Sequence, residues 1–313
     1  MTTMWRLMQV GVLVVSVLIA KPSAAQQSTA DSLSDVRALL SAGKLTDSEV
    51  ALRNFIQFHP SSAEAHFLLG YVLFREQKAK ESLSEFTAGA AFERPGADDL
   101  KVVASDYVML GDFGDADKWF TEVIVERPDD ADAWYLLGRA KFNESNFAAA
   151  VSSFQRALAL HPKYEEAENN LGLAWLELNE TEKAKVAFQT AIDWQGDSPT
   201  DAQPFLNLGS LYASQSSFEQ AIPYLEKAAL LAPSNPKIHE GLAQAYAAQQ
   251  RLGEAQKELE RAVALAPGIP GLHFKLGQIY RKEGLRDRAE QEFQICAQLN
   301  STHSSAATPN PPR

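Results

Sequence analysis

Apolar residues recur three and four positions apart in short blocks along most of this chain, and polar breaks divide the blocks. That spacing lines the apolar side chains along one face of a helix, so each block predicts an amphipathic helix. Residues 131–164 hold two such blocks. The first carries Trp134, Leu137, Gly138 and Lys141, and the second carries Ala150, Phe154, Ala157 and Leu158. Glu144-Ser145-Asn146 separates them and His161-Pro162-Lys163 closes the pair. Proline at that second break removes a backbone donor and stops the helix. Gly138 and Ala157 are small where the two helices should cross closely, and Phe154 fills the space beside them. A larger side chain there would force the helices apart.

The same pattern returns at a fixed interval. Gly70, Ala104, Gly138, Gly172, Gly209, Ala243 and Gly277 follow one another at steps of 34, 34, 34, 37, 34 and 34 residues. Ala116, Ala150, Ala184, Ala221, Ala255 and Ala289 share that register, and an aromatic residue or leucine follows each four positions later, from Phe120 to Phe293. Pro60, Pro128, Pro162, Pro233 and Pro267 close several of the intervals. A period of this length, kept by independent markers, is the signature of a repeat architecture.

With Trp134, Leu137, Gly138, Ala150, Phe154, Ala157 and Pro162 in place, the chain resembles the tetratricopeptide-repeat (TPR) family, departing at the tyrosine slot, which holds Lys141. The next clear matches are Phe205, Leu208, Gly209, Tyr212, Ala221, Leu225, Ala228 and Pro233, then Leu242, Tyr246, Ala255, Leu259, Ala262 and Pro267. Eight repeats are expected, at 29–62, 63–96, 97–130, 131–164, 165–198, 202–235, 236–269 and 270–303. The first is the weakest, and terminal repeats are often atypical because one side faces water. The resemblance implies an all-α fold of about eight helix-turn-helix units stacked as a right-handed superhelical solenoid over residues 26–300.

Two segments interrupt or end the pattern. Gln195-Gly196-Asp197-Ser198-Pro199-Thr200-Asp201 reads as a longer loop carrying three extra residues. It is either a tolerated surface insertion, since lengthening a loop costs little, or a joint between the repeats on its two sides. From Ser301 to Arg313 the chain is polar and proline-rich, which predicts a disordered tail. Ala297 and Leu299 are then expected on an end face that is either solvated or paired with another chain.

The N-terminus is of another kind. Arg6 precedes an uncharged run from Leu7 to Ala20, Lys21-Pro22 breaks it, and Ser23-Ala24-Ala25 follows. The run is short for a membrane span, which takes about 20 apolar residues. A positive start, a short apolar core and a small-x-small site read as a signal peptide over residues 1–25, cut after Ala25, with an uncleaved anchor as the alternative. The expected location is periplasmic or secreted, with no membrane span after the signal is removed. Asn143, Asn179 and Asn300 begin Asn-x-Ser/Thr sequons, which matter only if the host glycosylates exported proteins.

Charge narrows the partners. The 313 residues carry a formal charge of −11, and loss of Arg6 and Lys21 with the leader makes it more negative. Such a surface repels phosphate backbones, so nucleic acid is not expected as a partner. The single cysteine, Cys296, forms no intramolecular disulfide and occupies a slot filled elsewhere by inward-facing alanine, so it is expected to be buried and inert. His66, His239 and His273 fall in the tryptophan slot of their repeats, and none is paired at a metal-binding spacing. Phosphate-binding glycine loops are absent. No cofactor, metal or catalytic activity is expected.

The resemblance further implies that the first helix of each repeat lines a concave face on which ligands lie. Carried onto this chain, the candidate peptide-binding residues are Phe67, Tyr71, Phe74, Arg75, Lys101, Met109, Tyr135, Arg139, Phe142 and Asn169. Aromatic residues, methionine and arginine are enriched at protein interfaces. The later positions Leu206, Ser210, Gln244, Ala247 and Ala248 are blander. Lys101, Arg139 and Asn170 resemble fragments of the family's two-carboxylate clamp, whose full ordered set is missing. The expected function is a scaffold that binds a protein or peptide partner. The alternative is a self-associating, homo-oligomeric structural component of the cell envelope.

Overall fold

The computed structural model describes residues 32–306, so the leader read over 1–25 and the last seven residues of the tail lie outside the described residues. Among the described residues there are sixteen α-helices and no strand, and the fold is an all-α helical-repeat solenoid. The chain divides into two compact units, the first ending at Pro162 and the second beginning at Lys163. The first unit holds the pairs α1 (Leu33–Ser41) and α2 (Leu45–Phe58), α3 (Ala63–Arg75) and α4 (Ala79–Ala90), α5 (Ala97–Leu110) and α6 (Phe113–Glu126), and α7 (Ala131–Asn143) and α8 (Phe147–Leu160). The second holds α9 (Glu165–Glu177) and α10 (Thr181–Trp194), α11 (Gln203–Ser214) and α12 (Phe218–Leu231), α13 (Pro236–Ala248) and α14 (Leu252–Leu265), and α15 (Pro270–Lys282) and α16 (Arg286–Ala306). Each pair falls in one of the eight intervals read from the sequence, except that α16 runs three residues past the last of them.

Helix starts follow local chemistry. Ser62 and Asp130 accept hydrogen bonds from the backbone N–H groups of Ala65 and Ala133 and so cap α3 and α7. Pro236 and Pro270 open α13 and α15 at the position where a missing N–H costs nothing. The turn inside each pair is made the same way eight times. Gly43, Gln77, Gly111, Ser145, Asn179, Ser216, Gln250 and Gly284 all have φ between 59° and 81°. A left-handed residue stops the first helix and reverses the chain.

The small residues act as the pattern implies. A Cβ added at Gly138 would lie 2.6 Å from the Phe154 ring, and one at Gly172 would lie 2.5 Å from Phe188. Gly70 and Gly277 stand in the same relation to Phe86 and Phe293. The rings of Phe86, Phe120, Phe154 and Phe188 are wholly buried, so the two helices of those pairs meet through a ring laid on a small residue, and Leu225 takes the ring's place over Gly209.

The tryptophan slot has a polar purpose as well. Trp134 Nε1 donates to the Pro128 carbonyl at 3.0 Å. His66, His239 and His273 place Nε2 at 3.1, 2.9 and 2.9 Å from the carbonyls of Pro60, Pro233 and Pro267. In every case the donor reaches back six residues to the proline that closes the preceding repeat. Nδ1 of each histidine meets a carboxylate of the following helix, Glu85, Glu258 or Glu292, at 2.6–2.7 Å.

The long loop is present as expected, and two other expectations change. Gln195 closes the long loop: its Oε1 accepts from the N–H groups of Thr200 and Asp201, and its Nε2 donates to the Asp201 carbonyl. The loop lies inside the second unit. The tail was expected to begin at Ser301, but α16 continues to Ala306, because no proline or glycine stops it before Pro309. Cys296 is half-buried, not fully enclosed. Ala157, Ala191, Ala228 and Ala262, in the same slot, are 0% exposed because a following helix pair covers them, and no helix among the described residues follows α16.

Candidate functional site

First helices of consecutive repeats approach one another directly, α3 and α5 in the first unit, and α9, α11 and α13 in the second. Side chains on their shared face therefore stand side by side, which is what a groove for an extended segment needs.

In the first unit the candidate residues separate by exposure. Arg75, Met109 and Arg139 are exposed, whereas Tyr71, Phe74, Lys101, Tyr135 and Phe142 are half-buried. Arg75 donates from Nη1 to the Tyr71 hydroxyl at 2.9 Å, and its guanidinium lies 5.8 Å over that ring. Arg139 lies 5.8 Å over the Tyr135 ring, and Tyr135 packs against Phe154 at 6.0 Å. Each pair is spaced i, i+4, so one helical turn holds a cation over the face of a phenol ring. Neither arginine is in an ion pair among the described residues. Phe142 sets its edge on Phe147 at 5.3 Å.

Three of the expected residues are otherwise engaged. Phe67 is 9% exposed, stacks on Phe86 at 5.9 Å, and presses where a Cβ on Gly89 would be, so it is core. Lys101 is bound to Asp130, with Nζ 2.7 Å from Oδ2, while Oδ1 of the same carboxylate caps α7 through the Ala133 N–H. Burial alone would raise the Asp130 pKa. The Lys101 ammonium and the Ala133 N–H outweigh burial and hold the carboxyl below its ordinary range. Lys101 therefore serves the start of the next repeat and is not a free cation of the groove. Asn169, in the second unit, is 4% exposed and accepts a hydrogen bond from Asn207 Nδ2 at 2.8 Å, tying α9 to α11.

Elsewhere in the second unit Ser210, Gln244 and Ala248 are exposed and Leu206 is buried. Phe274, Arg281 and Lys282 are exposed on α15, and Arg281 lies 5.8 Å over Phe293. Among the described residues no group of three or more His, Cys, Asp and Glu side chains could hold a metal ion, and no helix is long and apolar enough to cross a membrane.

These helix pairs and their repeating contacts define a repeat scaffold, and comparison with known proteins identifies its kind. Tetratricopeptide-repeat family models match residues 35–98, 212–268 and 270–303, and the model of the cilia and flagella-associated protein 70 middle TPR-like domain matches residues 100–232. The chain belongs to the tetratricopeptide-repeat family. It is 26% identical over 181 residues to protein O-mannosyl-transferase TMTC1 of Homo sapiens, a match covering 56% of this chain and 20% of that protein. The chain thus spans about a fifth of the length of that relative. A solved tetratricopeptide repeat protein from Parabacteroides merdae superposes with a TM-score of 0.62 at 17% identity, over 85% of this chain and 97% of the other. YrrB, described as a TPR protein with an unusual peptide-binding site, superposes with a TM-score of 0.50 at 19% identity, over 59% of this chain and 94% of its own. At these identities the likeness is one of fold.

Proposed function

We propose that the chain holds an extended segment of a partner protein against the first helices of its N-terminal unit, and that it works outside the cytoplasm. The observation that carries the first part is the pair of exposed arginines, Arg75 and Arg139, each laid over a tyrosine and without an ion pair among the described residues, in a chain with 40 acidic and 29 basic residues. Unneutralised guanidinium groups in an acid-rich protein suit a carboxylate ligand bound through two parallel hydrogen bonds, and Phe74, Met109 and Phe142 supply apolar contact. Lys101 and Phe67 drop out of this set because each is already engaged. The peptide-binding site by which YrrB is described is consistent with the reading. Location outside the cytoplasm rests on the sequence of residues 1–25.

Fluorescence anisotropy against a library of extended acidic peptides, each with one or two apolar side chains, tests the groove. Tyr135→Ala with Arg139→Ala should weaken binding at least tenfold while the helical content is retained at the assay temperature, and Gln244→Ala should not weaken it. Undiminished binding in the double variant removes the groove from consideration.

A second reading is favoured by the last helix pair. Phe293 is half-buried where Phe86, Phe120, Phe154 and Phe188 are 0% exposed, and Cys296, one helical turn on, is half-buried where the matching alanines are 0% exposed. That face suits self-association, which light scattering over a dilution series detects as a concentration-dependent mass.

A further inference from the structure

Asp106 lies in the middle of α5 with 0% of its surface exposed. The slot it fills is taken in the second repeat and in the fourth to eighth by Val72, Ala140, Ala174, Leu211, Ala245 and Ile279, all apolar and buried. Neither carboxyl oxygen has a hydrogen-bond partner among the described residues. The group beside it is Ser82 of α4, also 0% exposed and also an exception, since alanine fills that slot in every repeat from the third onward.

The chemistry of the two groups decides their protonation. Ser82 donates its one hydroxyl hydrogen to the Gly70 carbonyl of α3 at 2.8 Å. It has only lone pairs left to offer Asp106. An ionised carboxylate accepts and does not donate, so it would face lone pairs and apolar core with nothing to stabilise its charge. A protonated carboxyl carries no charge and has a hydrogen to turn toward the Ser82 hydroxyl oxygen, whose own hydrogen is on the Gly70 carbonyl. The charged groups around it are engaged elsewhere. His66 of α3 faces Glu85 of α4, Lys101 of α5 faces Asp130, and Asp112 and Asp115 at the start of α6 act on Tyr107.

We propose that Asp106 is a proton-operated latch in the first unit: protonated, it closes the packing of α5 on α3 and α4, and ionised, it loosens that packing. Burial pushes the carboxyl up to about 7, and the Ser82 hydroxyl opposes this only by giving up its bond to Gly70. The closed form therefore holds the proton more tightly than an opened form, whose carboxyl has the ordinary value near 4. The stability contributed by the proton is complete below about pH 4, falls as the pH rises to about 7, and then levels off. The same helices carry Tyr71, Arg75 and Met109. An effect on ligand would rest on the proposed groove, whereas the latch itself does not.

The test needs no ligand. In the full chain, the carboxyl 13C resonance of Asp106, identified by its loss in Asp106→Asn, is followed from pH 5 to 8.5 alongside amide exchange in α3, α4 and α5. The carboxyl should titrate near neutral pH. The opening constant of those helices, corrected for intrinsic exchange, should rise about thirtyfold between pH 5.5 and 8 in the parent. It should stay level in Asp106→Asn, which keeps a donor, and in Asp106→Val, which restores the residue type of position 72, so either variant suffices if the other fails to fold. A carboxyl that titrates near 4 with the surface acids overturns the proposal. So does an opening constant that is level in the parent, or one that rises equally in the variants.

Discussion

The imidazole Nε2 of His239 lies 2.9 Å from the carbonyl oxygen of Pro233. A carbonyl only accepts, so Nε2 carries a hydrogen, and the bridge from Nδ1 to Glu258 at 2.6 Å needs another. That proton sits either on an imidazolium facing a carboxylate or on a neutral carboxyl donating to a neutral ring. A glutamine at the carboxylate position donates an N–H to Nδ1 and preserves both contacts, whereas alanine leaves Nδ1 buried and unmet. Glu258→Ala should therefore cost about 1–3 kcal/mol, and Glu258→Gln should cost well under half of that. Urea unfolding of both variants checks it. Equal losses would mean that the histidine is held by shape alone.

The turn inside each pair predicts gains. Gln77 and Gln250 have φ of 62°, a conformation that side chains other than glycine adopt at a cost. Gln77→Gly and Gln250→Gly should each stabilise by about 0.5–1 kcal/mol, glycine's extra unfolded-state entropy taking back part of the benefit. Gly111→Ala, at φ 77°, should lose about 1 kcal/mol or more. Shifts in the urea midpoint of unchanged slope carry the answer.

Glycines inside the helices divide by what surrounds them. Gly138→Ala sets a methyl 2.6 Å from the Phe154 ring, and the buried ring has nowhere to retreat. A loss of about 1–3 kcal/mol is expected. Gly253 of α14 has nothing within 4 Å of the added carbon, so Gly253→Ala should gain up to about 1 kcal/mol from helix propensity. Thermal melts of the two variants moving in the same direction would show the crossing to be looser than its geometry.

Export is tested on protein from the native host. N-terminal sequencing should begin at Gln26, after Ser23-Ala24-Ala25. Met1 on a soluble cytoplasmic product is the result against it.

Much of the fold was legible because one steric need recurs about every 34 residues: from the second repeat onward a ring or a leucine over a small residue marks each crossing, and the spacing of those marks carries the helix pairs with it. The loop at Gln195 was legible for the same reason, as a break in that spacing. Contacts made across a variable partner were not legible. Phe67 looks like a surface aromatic until Gly89, on the next helix, proves to be the gap it fills. Lys101 looks free until Asp130, 29 residues on, takes its charge. Histidine in a tryptophan slot looks like drift, and its meaning appears only when the hydrogen from either ring reaches the same proline carbonyl. Asp106 was passed over because an acid on an amphipathic helix is ordinarily read as a solvated one.

Gln195 has a wider bearing. A periodic chain is ordinarily intolerant of added letters, since every marker downstream falls out of phase. Here the extra residues are gathered into a bight whose own peptide groups are answered by a single amide, and the count resumes undisturbed at α11. One side chain thus works as punctuation. Removing it should leave every helix its own contacts and unsettle only the spelling between two of them.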